Sequence, residues 1–104
     1  MIIFVDIDDT ICYYEGDDKK NLDYNKAKPY YKRISKINQL YDRGDTIVYW
    51  TARGTKTGIK WFQITLNQLN KWGVKFHELR MGKPNYDLFI DDKNINSDMY
   101  FNNL

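Results

Sequence analysis

The chain has 104 residues, 42% of them apolar and 16% aromatic, and its 16 basic and 14 acidic residues leave a net charge of +2. That content suits one small folded domain, 1–104, and excludes a disordered tail or a collagen-like fibre. The charge is too mild to mark a nucleic-acid binder, and a single cysteine cannot close an internal disulfide. The apolar start meets a charge already at Asp6, too soon for a membrane span or a secretory leader, so a cytoplasmic protein is expected.

Ile2-Ile3-Phe4-Val5 is β-branched and aromatic without polar alternation, which predicts a strand buried on both faces. The polar stretch 13–28 reads as a loop or flap. Pro29 suits the first turn of a helix along which Tyr30, Ile34, Ile37 and Tyr41 recur at helical spacing, with Gly44 as its stop. Thr46 to Trp50 is a second strand, ending at Thr51. Ile59, Phe62, Leu66 and Leu69 line a second helix closed by Gly73. Val74 to Leu79 and Leu88-Phe89-Ile90 read as third and fourth strands. Strands alternating with helices predict an α/β, three-layer, Rossmann-like fold with a parallel sheet of about four strands, covered on both faces.

Right-handed crossovers place the strand carboxyl ends along one edge, where such folds bind ligands. Asp6 and Asp8 follow the first strand, Thr51 the second, and Asp91 and Asp92 the fourth, while Lys83 precedes that fourth strand. Residues i and i+2 of an extended segment face the same way, so Asp6 and Asp8 are expected to point together around a buried Ile7. Two carboxylates so placed repel unless a cation sits nearby. An oxygen-only ligand set with few carboxylates suits Mg²⁺. An acidic pair standing alone would equally well cap a turn, and the second acidic pair at another strand end weighs against that.

Phe4-Val5-Asp6-Ile7-Asp8-Asp9-Thr10 resembles the first motif, hhhDxDx[TV], of the haloacid dehalogenase (HAD) superfamily of phosphohydrolases. Thr51 resembles its second-motif hydroxyl, Lys83 in Gly82-Lys83-Pro84 its third-motif lysine, and Asp91-Asp92 its acidic fourth motif. More narrowly, the Thr51-Ala52-Arg53-Gly54 and Asp91-Asp92-Lys93 segments resemble small phosphatase-like proteins of capsular or surface polysaccharide biosynthesis. The resemblance implies that Asp6 is a nucleophile forming an aspartyl-phosphate and Asp8 an acid and base. It implies Mg²⁺ on the Asp6 carboxylate, the Asp8 carbonyl and Asp91, with Asp92 close by. Thr51 and Lys83 would bind phosphoryl oxygens.

Arg53 and Lys56 could clamp a second anionic group, or be ordinary solvated loop bases. Asp9 is assigned to the turn, and Thr10 to hydrogen bonding that turn's backbone. His77 reads as structural and Cys12 as a packed thiol. Neither the stretch between Thr10 and Thr46 nor that between Thr51 and Lys83 has room for a cap domain. A capless, solvent-open site is therefore expected, one that either accepts bulky substrates or is closed by a partner subunit in a homo-oligomer. The favoured substrate is a phosphorylated sugar or similar small metabolite. The alternatives are a polynucleotide 3′-phosphatase, against which the near-neutral charge weighs, and a non-catalytic phospho-receiver domain, which needs an acceptor Asp where Thr51 stands.

Overall fold

In the computed structural model, which describes residues 1–16 and 22–104, the elements follow in this order. They are β1 (Ile2–Val5), β2 (Cys12–Tyr13), a 3-10 turn (Tyr24–Lys26), β3 (Lys28–Pro29), α1 (Tyr31–Asp42), β4 (Thr46–Trp50), α2 (Phe62–Lys71), β5 (Glu78–Arg80) and α3 (Ser97–Tyr100). β1, β4 and β5 form a parallel sheet in that order, with Val5 beside Tyr49 and Trp50 beside Arg80. β2 and β3 pair antiparallel, Cys12 opposite Pro29.

Both crossovers advance across the sheet in one direction, so right-handed connections put α1 and α2 on the same face. Ile34, Ile37 and Leu40 of α1 and Leu69 of α2 accordingly meet Val5, Ile47 and Tyr49 in a single core, joined by Trp72, Val74 and Phe101. Full burial of each such side chain contributes roughly 1.5–3 kcal/mol. Both long helices stop at a glycine in the left-handed region, Gly44 (φ 105°) and Gly73 (φ 72°). The next amide then turns back to the helix, Asp45 N–H donating to Leu40 and Val74 N–H to Leu69.

The structure corrects the expected architecture in its layers and its strand count. Residues alternating with the core-facing set point away from the helices. Of these, Ile2 is 72% and Phe4 49% exposed, so one face of β1 is uncovered and the sheet is not sandwiched along its whole width. Leu88-Phe89-Ile90 is coil, with Ile90 87% exposed, because no neighbouring strand satisfies its backbone groups among the described residues. Pairing of β5 begins only at Glu78, and Pro29 lies in β3 rather than in a helix. α2 starts at Phe62, since turns occupy the chain between Thr51 and Trp61. Of the expected polar loop 13–28, residues 17–21 lie outside the described residues. No helix among the described residues is long and apolar enough to cross a membrane.

His77 continues the sheet beyond β5. Its backbone N–H donates to the Ile47 carbonyl at 2.9 Å, and its Nδ1 accepts from the Ile47 amide at 3.0 Å. It is a structural residue, stacked on Tyr41 with ring centroids 4.6 Å apart.

Tyr49 is fully buried, and its Oη has no hydrogen-bond partner among the described residues. Burial also pushes the phenol pKa up. A buried hydroxyl left unpaired costs about 1–3 kcal/mol. Tyr49→Phe is therefore expected to leave urea-denaturation stability unchanged or to raise it, and a loss above about 1 kcal/mol would show that the hydroxyl is satisfied.

Candidate active site

The turn after β1 is fixed by the Ile7 carbonyl, which accepts from Thr10 N–H at 3.1 Å and Ile11 N–H at 2.9 Å. Ile7 and Ile11 are fully buried and anchor the turn in the core. Asp9 sits in the left-handed region at φ 61°, a conformation Asp tolerates better than most residues, which agrees with its assignment to the turn. On either side of this anchor, Asp6 and Asp8 each meet a different cation.

Asp6 is half-buried at the carboxyl end of β1. Its Oδ1 lies 3.2 Å from Lys83 Nζ, and its Oδ2 accepts from the Thr10 hydroxyl at 3.2 Å. Thr10 thus holds the carboxylate with its side chain, where sequence reasoning gave it only the turn backbone. Burial raises the Asp6 pKa, and the charge and hydrogen bond of Lys83 pull it partly back. Burial works against the Lys83 charge too, but Asp6 and Tyr86 together outweigh it and the lysine pKa is raised. Lys83 arrives here because its amide donates to the Thr51 carbonyl at 3.0 Å, continuing the β4 edge past Trp50. Thr51 is buried, and its Oγ1 accepts from the Arg53 amide at 3.1 Å.

Asp8 points into a second cluster. Arg53 donates through Nη2 to Asp8 Oδ1 at 2.9 Å and through Nε to Oδ2 at 3.1 Å. Tyr14 Oη and Cys12 Sγ also donate to Oδ1. The remaining Arg53 donors go to Thr65, Gln68 and the Tyr14 hydroxyl, and the guanidinium carbon stands 4.8 Å from the Tyr24 ring centroid. Burial disfavours the Arg53 charge, yet the hydrogen bonds and charge of Asp8 more than offset this and raise its pKa. Burial and the nearby Asp8 charge push up both Tyr14 and Cys12, which remain protonated donors. Arg53 is 2% exposed with its whole fork committed inside the protein, so the expectation of a substrate-phosphate clamp is corrected: it holds Asp8. Lys56 stays an exposed turn residue.

Sequence reasoning missed Tyr14, Tyr24, Thr65 and Gln68. Gln68 Nε2 donates to the Tyr24 carbonyl at 2.6 Å, tying the polar loop to α2. The available signal was Thr65 and Gln68 three residues apart on one helix face, one turn from buried Leu69.

The acidic fourth segment does not join the cluster through a strand. Asp91 is exposed, and its Oδ2 accepts from the Lys93 amide at 3.3 Å. The loop that carries Asp91 and Asp92 is tied at one end by Lys83 to Asp6 and at the other by Ser97 Oγ, 3.5 Å from the Asp9 carbonyl. Among the described residues no three His, Cys, Asp or Glu side chains are grouped closely enough to hold a metal ion. The donor types of the expected set, the Asp6 carboxylate, the Asp8 carbonyl and Asp91, suit a hard cation. Lys83 and Arg53 each set a positive charge against one of the two neighbouring carboxylates.

This geometry defines a parallel α/β chain with a carboxylate, a lysine and a buried hydroxyl gathered at adjacent strand ends. A crystal structure of a Vibrio cholerae protein, described only as a structural-genomics target, is similar with a TM-score of 0.79 and 24% identity. It covers 95% of this chain and 85% of that one, which is a likeness of fold. No family model matches the chain, and no curated protein matches it.

Two outcomes follow from the paired charges. Arg53→Met leaves Asp8 without its cation, and breaking a buried pair from one side costs about 3–5 kcal/mol, read as a lower urea midpoint at unchanged m-value. A loss under about 1 kcal/mol would mean that Asp8 does not depend on Arg53. Lys83→Met removes the group that lowers the Asp6 pKa and leaves burial to raise it. Carboxyl ¹³C titration should then show Asp6 ionising at higher pH than in the wild type, and an unmoved or lowered midpoint would rule out the Lys83 pairing.

Proposed function

We propose that the chain is a phosphomonoester hydrolase of the HAD type, acting through an aspartyl-phosphate on Asp6. The observation that carries this reading is the Asp6 carboxylate, half-exposed at a strand end with one oxygen on Lys83 and the other on Thr10. A nucleophile needs one open approach and a fixed orientation, and Asp6 has both. An Asp6 oxygen attacks phosphorus in line, the P–O ester bond breaks, and the leaving oxygen takes a proton. Water then attacks the acyl-phosphate, releasing inorganic phosphate and restoring the Asp6 carboxylate. In this reading Lys83 is shared between Asp6 and the incoming phosphoryl oxygens, offsetting charge in a loose transition state, and the Thr51 hydroxyl is the second phosphoryl contact.

Asp8 is the acid and base of this reading. Its partners are all donors, which hold the carboxylate and fix the direction in which it faces. Protonating a leaving alkoxide asks more of it, because the proton must come from a carboxyl that Arg53 holds. Mg²⁺ belongs to the proposal as the resemblance implies it, with loss of turnover in chelator as its check. The Asp6 carboxylate, the Asp8 carbonyl and Asp91 would hold it, and no step is routed through it. The substrate class in this reading is a phosphorylated sugar or a similar small metabolite.

Asp6→Asn removes the attacking oxygen's charge and should abolish turnover while far-UV circular dichroism stays native. Asp8→Asn should lose more activity on an alkyl phosphate than on an activated aryl phosphate, because general acid catalysis contributes roughly 10²–10⁴-fold and a good leaving group needs little of it. Wild-type turnover by Asp6→Asn on every ester tested would end the nucleophile assignment.

A further inference from the structure

Beside the phosphate-facing residues lies a cavity of about 280 Å³ between the loop after β4 and the Met81–Gly82 turn after β5. Ile59, Trp61, Phe62 and Met81 supply its apolar lining, and Gly82 joins it directly to Lys83. Gly54 closes its floor: at φ 81° a Cβ there would stand 2.1 Å from the Ile59 carbonyl oxygen, so the tight loop requires glycine. Ile59 and Phe62 are 57% and 45% exposed, apolar surface that no element among the described residues covers.

The polar side chains around the cavity are largely committed elsewhere. Thr55 Oγ1 donates to the Lys83 carbonyl at 2.8 Å, and Arg53 is spent on Asp8, Thr65, Gln68 and Tyr14. Exposed Lys60 is the remaining charged side chain of the lining. A hydroxyl-rich group entering here would lose water without gaining partners, whereas an aromatic group would bury its faces against Trp61, Phe62 and Met81. We infer that this cavity binds the aromatic portion of the phosphomonoester, so that the substrate class is an aryl- or heteroaryl-bearing ester rather than a simple hexose phosphate. This rests on the hydrolase reading and sharpens its substrate.

The test has a kinetic arm and a binding arm. In the first, kcat/KM is compared for phenyl phosphate, adenosine 5′-monophosphate, glucose 6-phosphate and acetyl phosphate, with wild type and Phe62→Ala. The two aromatic esters should be preferred over glucose 6-phosphate, and their relative rates separate an aryl from a nucleobase occupant. Phe62→Ala should raise KM about tenfold for the aromatic esters and leave acetyl phosphate unchanged. In the second arm, phenol and adenosine are titrated into wild-type protein while the methionine methyl resonances are followed. The Met81 methyl should shift, whereas the exposed Met1 and Met99 methyls should not. Preference for glucose 6-phosphate, or an equal effect of Phe62→Ala on all four substrates, overturns the inference. Hydrolysis of phosphate esters with an unmoved Met81 overturns it while the hydrolase reading stands. A shifted Met81 with no ester hydrolysed supports the cavity as an aromatic site and ends the hydrolase reading instead.

Discussion

Two carboxylates placed two residues apart at the end of a buried strand must each be matched by positive charge, and most of the local structure serves that need. Lys83 reaches Asp6 because the chain after β5 hydrogen-bonds to the Thr51 carbonyl. Arg53 reaches Asp8 because the Thr51 hydroxyl holds its amide and α2 offers Thr65 and Gln68 for the rest of the fork. Thr51 therefore organises both cations, although its own side chain is buried. Neither charge could lie in such a setting alone, since desolvating an unpaired ion costs several kcal/mol.

The same pairing divides the labour between the two acids. Asp6 keeps solvent on one side and the Lys83 ammonium on the other. Asp8 is clamped by a planar guanidinium, a tyrosine and a thiol, which fixes its direction. The Arg53 network also fastens the polar segment around Tyr14 and Tyr24 to α2, so the walls of the site and its charges are one connected unit. The apolar cavity opens beside that unit, at the turn that carries Lys83.

Much of this was legible in the chain itself. Ile2 to Val5 and Thr46 to Trp50 are continuous apolar runs, and they pair as neighbouring parallel strands. The spacing of Ile34, Ile37 and Leu40 marks the buried face of α1. Asp6 and Thr51 follow those two strands directly, so their placement at one edge needs only the βα alternation and the right-handed crossover. Lys83 lies beyond a strand only three residues long, yet its Gly82 turn was visible.

What the sequence by itself determined was the set of elements whose side chains repeat: the first two strands, the first helix, and the residue types stationed just past the strands. Periodic burial is a local signal, written at a spacing of two or 3.6 residues and readable without knowing the neighbours. Only the tertiary structure decided that Leu88-Phe89-Ile90 pairs with no strand, that both long helices share one face of the sheet, and that Arg53 turns inward to Asp8 across 45 residues of chain. A strand needs a partner for its backbone groups, and an ion pair needs a partner for its charge. Both partners are chosen by the packing of the whole chain, which no local pattern records.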